Sequence, residues 1–150
     1  MRYFLDAEFN GFGGALISIA LVPDRDGLAP FYEAILCARP TEWVARHVLP
    51  VLGTQPRPRA EVARHLADYL SDDEEPLLVA DWPEDIAHAA RLLVTGPGRM
   101  SPVRSLRFEL VDPGIIGPVP PSEVPHNACA DAQALRAAVL DYERRIRHGR

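Results

Sequence analysis

The sequence predicts an α/β fold in which helices flank a mixed five-stranded sheet, built as a single domain over residues 1–150. A length of 150 residues suits one domain, and 47% hydrophobic with 25% charged residues is typical of a globular protein. Strand-like segments follow one another directly at the start, which predicts an antiparallel meander. Strands alternate with helical patterns later in the chain, which predicts parallel pairing there.

The first third of the chain contains three predicted strands. Strand-like residues 2–5 are followed by the turn-forming pair Asn10-Gly11 and by the β-branched, apolar run 15–22. A polar turn then leads into a third apolar segment, residues 31–36. Short connections of this kind join antiparallel neighbours, so these strands are expected to form the meander.

The rest of the chain alternates helices with strands. Apolar residues at a spacing of about 3.6 predict helices, and short apolar runs predict buried strands. The predicted elements are a helix over 42–52 capped by Thr41, a helix over 59–70, a strand over 76–80, a helix from 83 to about 94 with Asp81 as its N-cap, a strand over 106–111, a proline-rich loop over 113–125 and a helix from 127 to 147.

Composition excludes several classes of protein. No apolar run approaches the roughly 18 residues of a membrane span, and Met1 leads directly into strand-like sequence, so the cytoplasm is the expected location and no membrane partner is expected. Cys37 and Cys129 lack the spacing of a disulfide framework or a zinc site. A net charge of -5 argues against a protein that coats duplex nucleic acid, although it leaves open a nuclease whose acids bind cations.

Two carboxylates interrupt the first strand, in the segment YFLDAEFNG. Side chains two residues apart in a strand project to the same face, so Asp6 and Glu8 are expected to point together. Their mutual repulsion would raise both pKa values unless a cation lies between them. The alternative is that this is a solvated face of an edge strand.

A second acid lies early in the helix that begins near Pro83. Asp85 shares a helical stripe with Ala89 and Leu92, which places it on the inward face. The alternative is a carboxylate that only complements the helix dipole. Asp81 competes with Asp85 for a functional role, but N-capping of the helix also accounts for it.

The segment HNACADA supplies a third acid together with a histidine. If Asn127 caps the final helix, Asp131 lies one turn before Leu135 on the core-facing stripe, while His126 stays in the preceding loop. An imidazole would then stand beside a fixed carboxylate. Each of these residues taken alone is more often structural.

Taken jointly, these acids indicate a metal site. Three separate elements carry acids on faces that should be apolar, namely Asp6 with Glu8, Asp85, and Asp131. Four carboxylate side chains suit two hard divalent ions, Mg²⁺ or Mn²⁺, which prefer oxygen ligands. Two such ions per site are typical of enzymes that cleave phosphodiester bonds.

These motifs resemble those of the DEDDh 3′-5′ exonucleases of the ribonuclease H-like superfamily. The likeness rests on the DxE motif of Asp6 and Glu8, on Asp85 in ADWPED, and on the HxxxxD motif of His126 and Asp131, which come in the family's order across almost the whole chain. The compact length and the FLDAEFNG start are most similar to a small group of bacterial exoribonucleases first recognised in mycobacteria. Ala7 replaces a common threonine, and ADWPED replaces the common HNxxFD, so the choice of Asp85 over Asp81 depends on register.

The resemblance implies a ribonuclease H-like fold and a metal-dependent exoribonuclease. By this resemblance, two Mg²⁺ or Mn²⁺ ions are bound by Asp6, Glu8, Asp85 and Asp131. His126 is then the general base in the release of nucleoside 5′-monophosphates from the 3′ end of single-stranded RNA. The alternatives are an exonuclease acting on single-stranded DNA, an endonuclease on the same fold, and a catalytically degenerate nucleic-acid or protein interaction module. Dimers are common in the family, so a homodimer is one expected assembly.

Three residues just after the DxE motif are predicted to contact substrate. Phe9 and Phe12 are close enough in sequence to stack on the terminal base, a contact that tolerates any sequence, and Asn10 lies between them. The alternative for both phenylalanines is packing within the hairpin.

Overall fold

A computed structural model describes residues 1–149 of the chain. The strands in that range are β1 (Arg2–Phe9), β2 (Leu16–Pro23), β3 (Phe31–Ala34), β4 (Leu77–Ala80), β5 (Val94–Gly96), β6 (Arg99–Met100) and β7 (Arg107–Leu110). The helices are α1 (Glu42–His47), α2 (Arg59–Leu70), α3 (Pro83–Leu92), α4 (Pro113–Ile116) and α5 (Ala128–His148), with a 3-10 turn at Leu49–Val51. None of these helices is both long and apolar enough to cross a bilayer.

The main sheet has five strands in the order β3-β2-β1-β4-β7. The β1/β2 and β2/β3 pairs are antiparallel, and the β1/β4 and β4/β7 pairs are parallel. Tight turns allow the first three strands to pair in opposite directions, whereas α3 carries the chain back to start β7 parallel to β4. The predicted α/β fold with a mixed five-stranded sheet is therefore confirmed.

The side chains on the two faces of β1 pack into different parts of the hydrophobic core. Tyr3, Leu5 and Ala7 pack in the cluster that includes apolar residues of α2 and α3. Phe4 points to the opposite face, where it packs with the apolar stripe of α5. The even-numbered residues of β1 therefore face α5, which determines what the carboxylates further along this strand can meet.

The helix predicted over residues 42–52 is shorter than expected. It ends at His47, and a 3-10 turn replaces its second half. Pro50 has no N–H to donate to the Arg46 carbonyl, so the hydrogen-bond pattern of the regular helix stops there. The predicted N-cap Thr41 is confirmed, because its hydroxyl accepts a hydrogen bond from the Val44 N–H at 3.3 Å.

The predicted N-cap of α3 is wrong. Trp82, and not Asp81, occupies the cap position, and no side chain caps this end of the helix. Trp82 precedes Pro83, which favours the extended backbone observed for Trp82, with φ -126° and ψ 129°. Asp81 is therefore free of the structural role that the sequence suggested for it.

Two short elements occur where no regular structure was predicted. The β5/β6 hairpin lies directly after α3, which ends at Leu92, two residues before its predicted end at about Val94. Helix α4 lies inside the stretch predicted as a loop, and the Asp112 carboxylate caps it by accepting a hydrogen bond from the Gly114 N–H at 2.8 Å. Ile116 of α4 is buried against the apolar stripe of α5.

Candidate metal centre

Two of the predicted acids, Asp6 and Glu8, lie in the second half of β1, whereas Asp85 and Asp131 lie in the first turns of α3 and α5. β1 is the strand with an antiparallel neighbour on one side, β2, and a parallel neighbour on the other, β4. In open α/β sheets, a crevice forms outside the strand ends where the chain changes direction across the sheet. The register of β1 against β2 also shifts between Glu8 and Phe9, an irregularity common next to functional sites.

Three of the predicted carboxylates come together in this crevice. One side-chain oxygen from each of Asp6, Glu8 and Asp131 lies within 4.8 Å of the others. Asp6 and Glu8 follow Phe4 on the face of β1 that packs against α5, and Asp131 lies in the first turn of α5. Sheet pleating and helix docking thus unite acids that are more than a hundred residues apart in sequence.

Asp85 adds a fourth carboxylate beside this group. Its side chain is 2% exposed in the first turn of α3, and it is not among the three acids whose oxygens lie within 4.8 Å of one another. Burial raises the pKa of Asp6 well above its ordinary range, and Asp85 is the carboxylate whose charge contributes most after burial. Asp85 therefore acts electrostatically on the same site.

Asp81 lies close to the site as well. It is half-buried directly after β4, and its pKa is raised by burial and by the charge of Asp131. Asp85 is the more deeply buried of the two and faces inward, as its helical stripe predicted. Its position supports Asp85 as the second-motif acid, with Asp81 as an additional negative charge in the crevice.

The electrostatics of the crevice favour a bound cation. Burial and the charge of Asp131 raise the pKa of Glu8 to about 7, and burial and the charge of Asp81 raise that of Asp85 to about 8. The crevice thus retains protons that isolated carboxylates lose near pH 4. Ligands on opposite sides of one Mg²⁺ lie about 4.2 Å apart, so the oxygens of Asp6, Glu8 and Asp131 fit a divalent ion with small adjustments.

His126 stands beside the carboxylates in the loop before α5. Its backbone N–H donates a hydrogen bond to Oδ2 of Asp131 at 3.1 Å. Within residues 1–149, His126 is the one residue other than glycine that has a positive φ, and its value is 66°. Backbone conformations of this kind often occur at functional sites, where surrounding contacts hold them.

Asn127 fixes the start of α5 and thereby the position of Asp131. Its Oδ1 accepts hydrogen bonds from the N–H groups of Cys129 and Ala130, both at 3.1 Å, so the predicted N-cap is confirmed. Its Nδ2 donates to the carbonyl of Val51 at 2.8 Å. One side chain therefore ties the helix that carries Asp131 to the turn after α1.

Asn127→Ala is expected to lower the free energy of unfolding by about 1–2 kcal/mol, because α5 loses its cap and the Val51 carbonyl loses its donor. Asn127→Ser is the matched control, since a serine hydroxyl can cap the helix but cannot reach Val51 in the same way. Urea unfolding of the three proteins measures the difference. Equal stability of wild type and Asn127→Ala would contradict the capping role.

Trp43 is a site residue that the sequence did not reveal. Its indole is half-exposed on α1, meets the His126 ring edge to face at 4.9 Å between centroids, and stacks on His47 at 4.8 Å. Trp43 lies more than eighty residues before His126, and a tryptophan near the start of a helix carries no signal of such a contact. Its ring limits the positions open to the His126 side chain.

The three residues predicted to contact substrate occupy different environments. The Phe9 ring stacks on His88 at 4.9 Å between centroids. Asn10 holds the turn, because its Oδ1 accepts from the Thr41 N–H at 2.8 Å and its Nδ2 donates to the Arg39 carbonyl at 2.9 Å. Phe12 is 99% exposed, so packing within the hairpin does not account for it. Contact of these residues with substrate stays a prediction.

The metal-free protein is expected to lose stability as pH rises from about 4 to about 8. In that window the folded state keeps protons on Glu8, with a pKa of about 7, and on Asp85, with a pKa of about 8, whereas the unfolded chain has released them. The folded state binds more protons, so raising the pH favours unfolding.

Divalent metal is expected to reverse this loss. Mn²⁺ at pH 8 should raise the melting temperature by several degrees, because it binds the folded crevice and replaces the protons. Thermal unfolding across the pH range, with and without Mn²⁺, measures both effects, and sodium chloride at equal ionic strength is the control. If the melting temperature at pH 8 does not change when Mn²⁺ is added, the assignment of these acids as a metal site is contradicted.

A scan against protein-family models finds no match for the chain, and a search of curated proteins finds none either. The family resemblance therefore stays a prediction from the motifs, and the geometry of the crevice is the independent observation that bears on function.

Proposed function

We propose that this protein is a metal-dependent 3′-5′ exoribonuclease with a ribonuclease H-like fold. The observation that carries the proposal is the convergence of Asp6, Glu8 and Asp131, whose side-chain oxygens lie within 4.8 Å of one another, with the buried Asp85 beside them. The raised pKa values of Asp6, Glu8 and Asp85 in this crevice favour a divalent cation. The mixed sheet agrees with the arrangement that the resemblance predicts.

The acids and His126 have separate roles in this proposal. The residues that would hold Mg²⁺ or Mn²⁺ are Asp6, Glu8, Asp85 and Asp131. Two such ions would neutralise the negative charge of the scissile phosphodiester and lower the pKa of the attacking water. The His126 imidazole accepts the proton of that water. Its backbone N–H donates a hydrogen bond to Asp131, which ties the loop that carries the imidazole to one of the acids.

The exposed aromatic rings near the crevice suit an unpaired strand. Phe12, Trp43 and Trp82 are each at least 50% exposed, on the β1–β2 turn, α1 and the β4–α3 junction. Aromatic rings stack on bases of any sequence when the bases are not paired. A single-stranded 3′ end is therefore the substrate that best fits this surface.

The direct test is digestion of an RNA oligomer with a 3′-hydroxyl end. The proposal expects Mg²⁺- or Mn²⁺-dependent release of nucleoside 5′-monophosphates, one at a time from the 3′ end, and no release when EDTA removes the metal. A DNA oligomer of the same sequence tests the alternative of a deoxyribonuclease. Absence of product from both oligomers with either metal would refute the proposal.

A circular single-stranded RNA separates an exonuclease from an endonuclease. An exonuclease requires an end and leaves the circle intact, whereas an endonuclease converts it to linear fragments. Titration calorimetry with Mn²⁺ addresses the remaining alternative, a degenerate binding module, which would show no binding of the ion.

A further inference from the structure

A second cavity, of 470 Å³, lies next to the candidate metal centre. It is formed between the β1–β2 turn, the end of β3, α2 and α3, and its lining includes Gly13, Leu36, Arg59, His88 and Arg91. None of these residues belongs to the group of carboxylates. The cavity is open to solvent, and its lining mixes apolar groups with two guanidinium groups.

The charges of this cavity are positive, in contrast to the acidic total of the chain. The protein carries 21 acidic and 16 basic residues, yet the charged side chains that line the cavity are Arg59 and Arg91. Within residues 1–149, neither guanidinium forms an ion pair with a carboxylate, whereas Arg57 and Arg2 do. Both guanidinium groups of the cavity therefore lack a carboxylate partner within residues 1–149, although the charge of Glu84 also acts on His88 in the lining.

The position of Arg59 is set by neutral groups. Its guanidinium donates hydrogen bonds to the backbone carbonyls of Arg91 and Val94, where α3 ends. Carbonyl oxygens orient the guanidinium without cancelling its charge. Arg91 lies in the last turn of α3, so one helix end brings both positive groups together.

Phe9 and His88 connect the cavity to the candidate metal centre. Phe9 directly follows the metal-site residue Glu8, and its ring stacks on His88, which lines the cavity. His88 lies three residues after Asp85 on α3, so one helical turn separates the acids from the cavity. The N–H of Gly13, in the turn that closes the cavity, donates a hydrogen bond to Glu84 at 3.0 Å, which ties this turn to the start of α3.

We infer that this cavity binds a phosphodiester group of the same strand whose 3′ end occupies the metal centre, upstream of the bond that is cleaved. The inference rests on the proposed function. A strand running from the acids past the Phe9–His88 pair brings its next phosphates to Arg59 and Arg91. Guanidinium groups match phosphate oxygens in charge and geometry.

Substrate length gives the test. A dinucleotide has a single phosphodiester group, which the metal centre would occupy, whereas a pentanucleotide has three further phosphodiester groups upstream of the bond that is cleaved. Arg91→Ala is expected to reduce the ratio of kcat/KM for the pentamer to that for the dimer by about tenfold, the loss typical of one charge-assisted hydrogen bond. Arg91→Lys should restore part of the ratio, since it keeps the charge. Arg64→Ala, which removes an exposed arginine of α2 outside the cavity, is the matched control.

Salt dependence supplies a second measurement. The affinity of a 5′-labelled pentamer, measured by fluorescence anisotropy in an Asp6→Asn background that does not cleave, should fall as salt rises. Arg91→Ala should reduce the slope of log affinity against log salt by about 0.7, the value of one phosphate contact to a single strand. Arg64→Ala should leave the slope unchanged.

The outcomes separate this inference from the proposed function. If the wild-type protein degrades neither oligomer, the proposed function fails and the inference fails with it. If the wild-type protein degrades both and Arg91→Ala keeps the length ratio and the salt slope, only the upstream phosphate site is overturned. An equal loss on dimer and pentamer also overturns it, because the effect would then lie at the reacting end.

Discussion

Asp6→Asn is expected to lower the Mn²⁺-dependent release of nucleoside monophosphates by about 10³-fold or more, because a metal ligand at the reacting centre is lost. Asparagine keeps the size of the side chain and removes its charge. All the other acids of the site act on Asp6. Its pKa is raised first by burial and then by the charges of Asp85, Asp131, Glu8 and Asp81. Initial rates on an RNA oligomer with a 3′-hydroxyl end measure the effect.

Two controls distinguish loss of the site from loss of the fold. Asp72→Asn removes an exposed acid outside the crevice and is expected to retain the wild-type rate. At pH 8 without metal, Asp6→Asn should melt at or above the wild-type temperature, because asparagine is neutral and is not destabilised by the neighbouring carboxylates. Mn²⁺ should then raise its melting temperature less than it does that of the wild type. A wild-type rate in Asp6→Asn would refute the metal centre.

The sheet could be predicted because its strands have strong local signals. The run 15–22 is continuously apolar, and the strand it predicted, Leu16–Pro23, is buried along its whole length. Residues 76–80 are a similar run, and β4 lies between two other strands. Burial on both faces leaves this pattern in the sequence, so the position and order of such strands follow from it.

The β5/β6 hairpin could not be predicted in the same way. Its strands span Val94–Gly96 and Arg99–Met100, and most of their residues are exposed. Strands of two or three exposed residues have no apolar alternation that would distinguish them from a loop. The hairpin depends instead on its position after α3, where the N–H of Ser101 donates to the Leu93 carbonyl at 2.7 Å.

The site was predictable to the extent that its acids occupy positions that should be apolar. Asp6, Glu8 and Asp131 break the apolar periodicity of a strand and a helix, and the structure brings these three together. Trp43 breaks no pattern, and its contact with His126 depends on how α1 packs against the loop before α5. Arg59 and Arg91 likewise look like ordinary helix-surface residues, and only the tertiary structure places them in one cavity.

His126→Ala is expected to reduce the rate by about 10²-fold to 10⁴-fold, the usual contribution of a positioned general base. Mn²⁺ binding should remain, because His126 is not among the three residues whose carboxylates converge. Calorimetric titration of Mn²⁺ together with initial rates measures the two effects separately. Loss of Mn²⁺ binding along with the rate would assign the histidine a structural role.

The backbone of His126 makes a second variant necessary. Its φ of 66° is a conformation that alanine adopts only at a cost of about 1–2 kcal/mol, so His126→Ala also strains the loop. Asparagine tolerates this conformation far better, and its backbone N–H can still donate to Asp131. If the imidazole is the base, His126→Asn is as inactive as His126→Ala. If loop geometry is the cause, His126→Asn recovers the rate, and the assignment of His126 as the base fails.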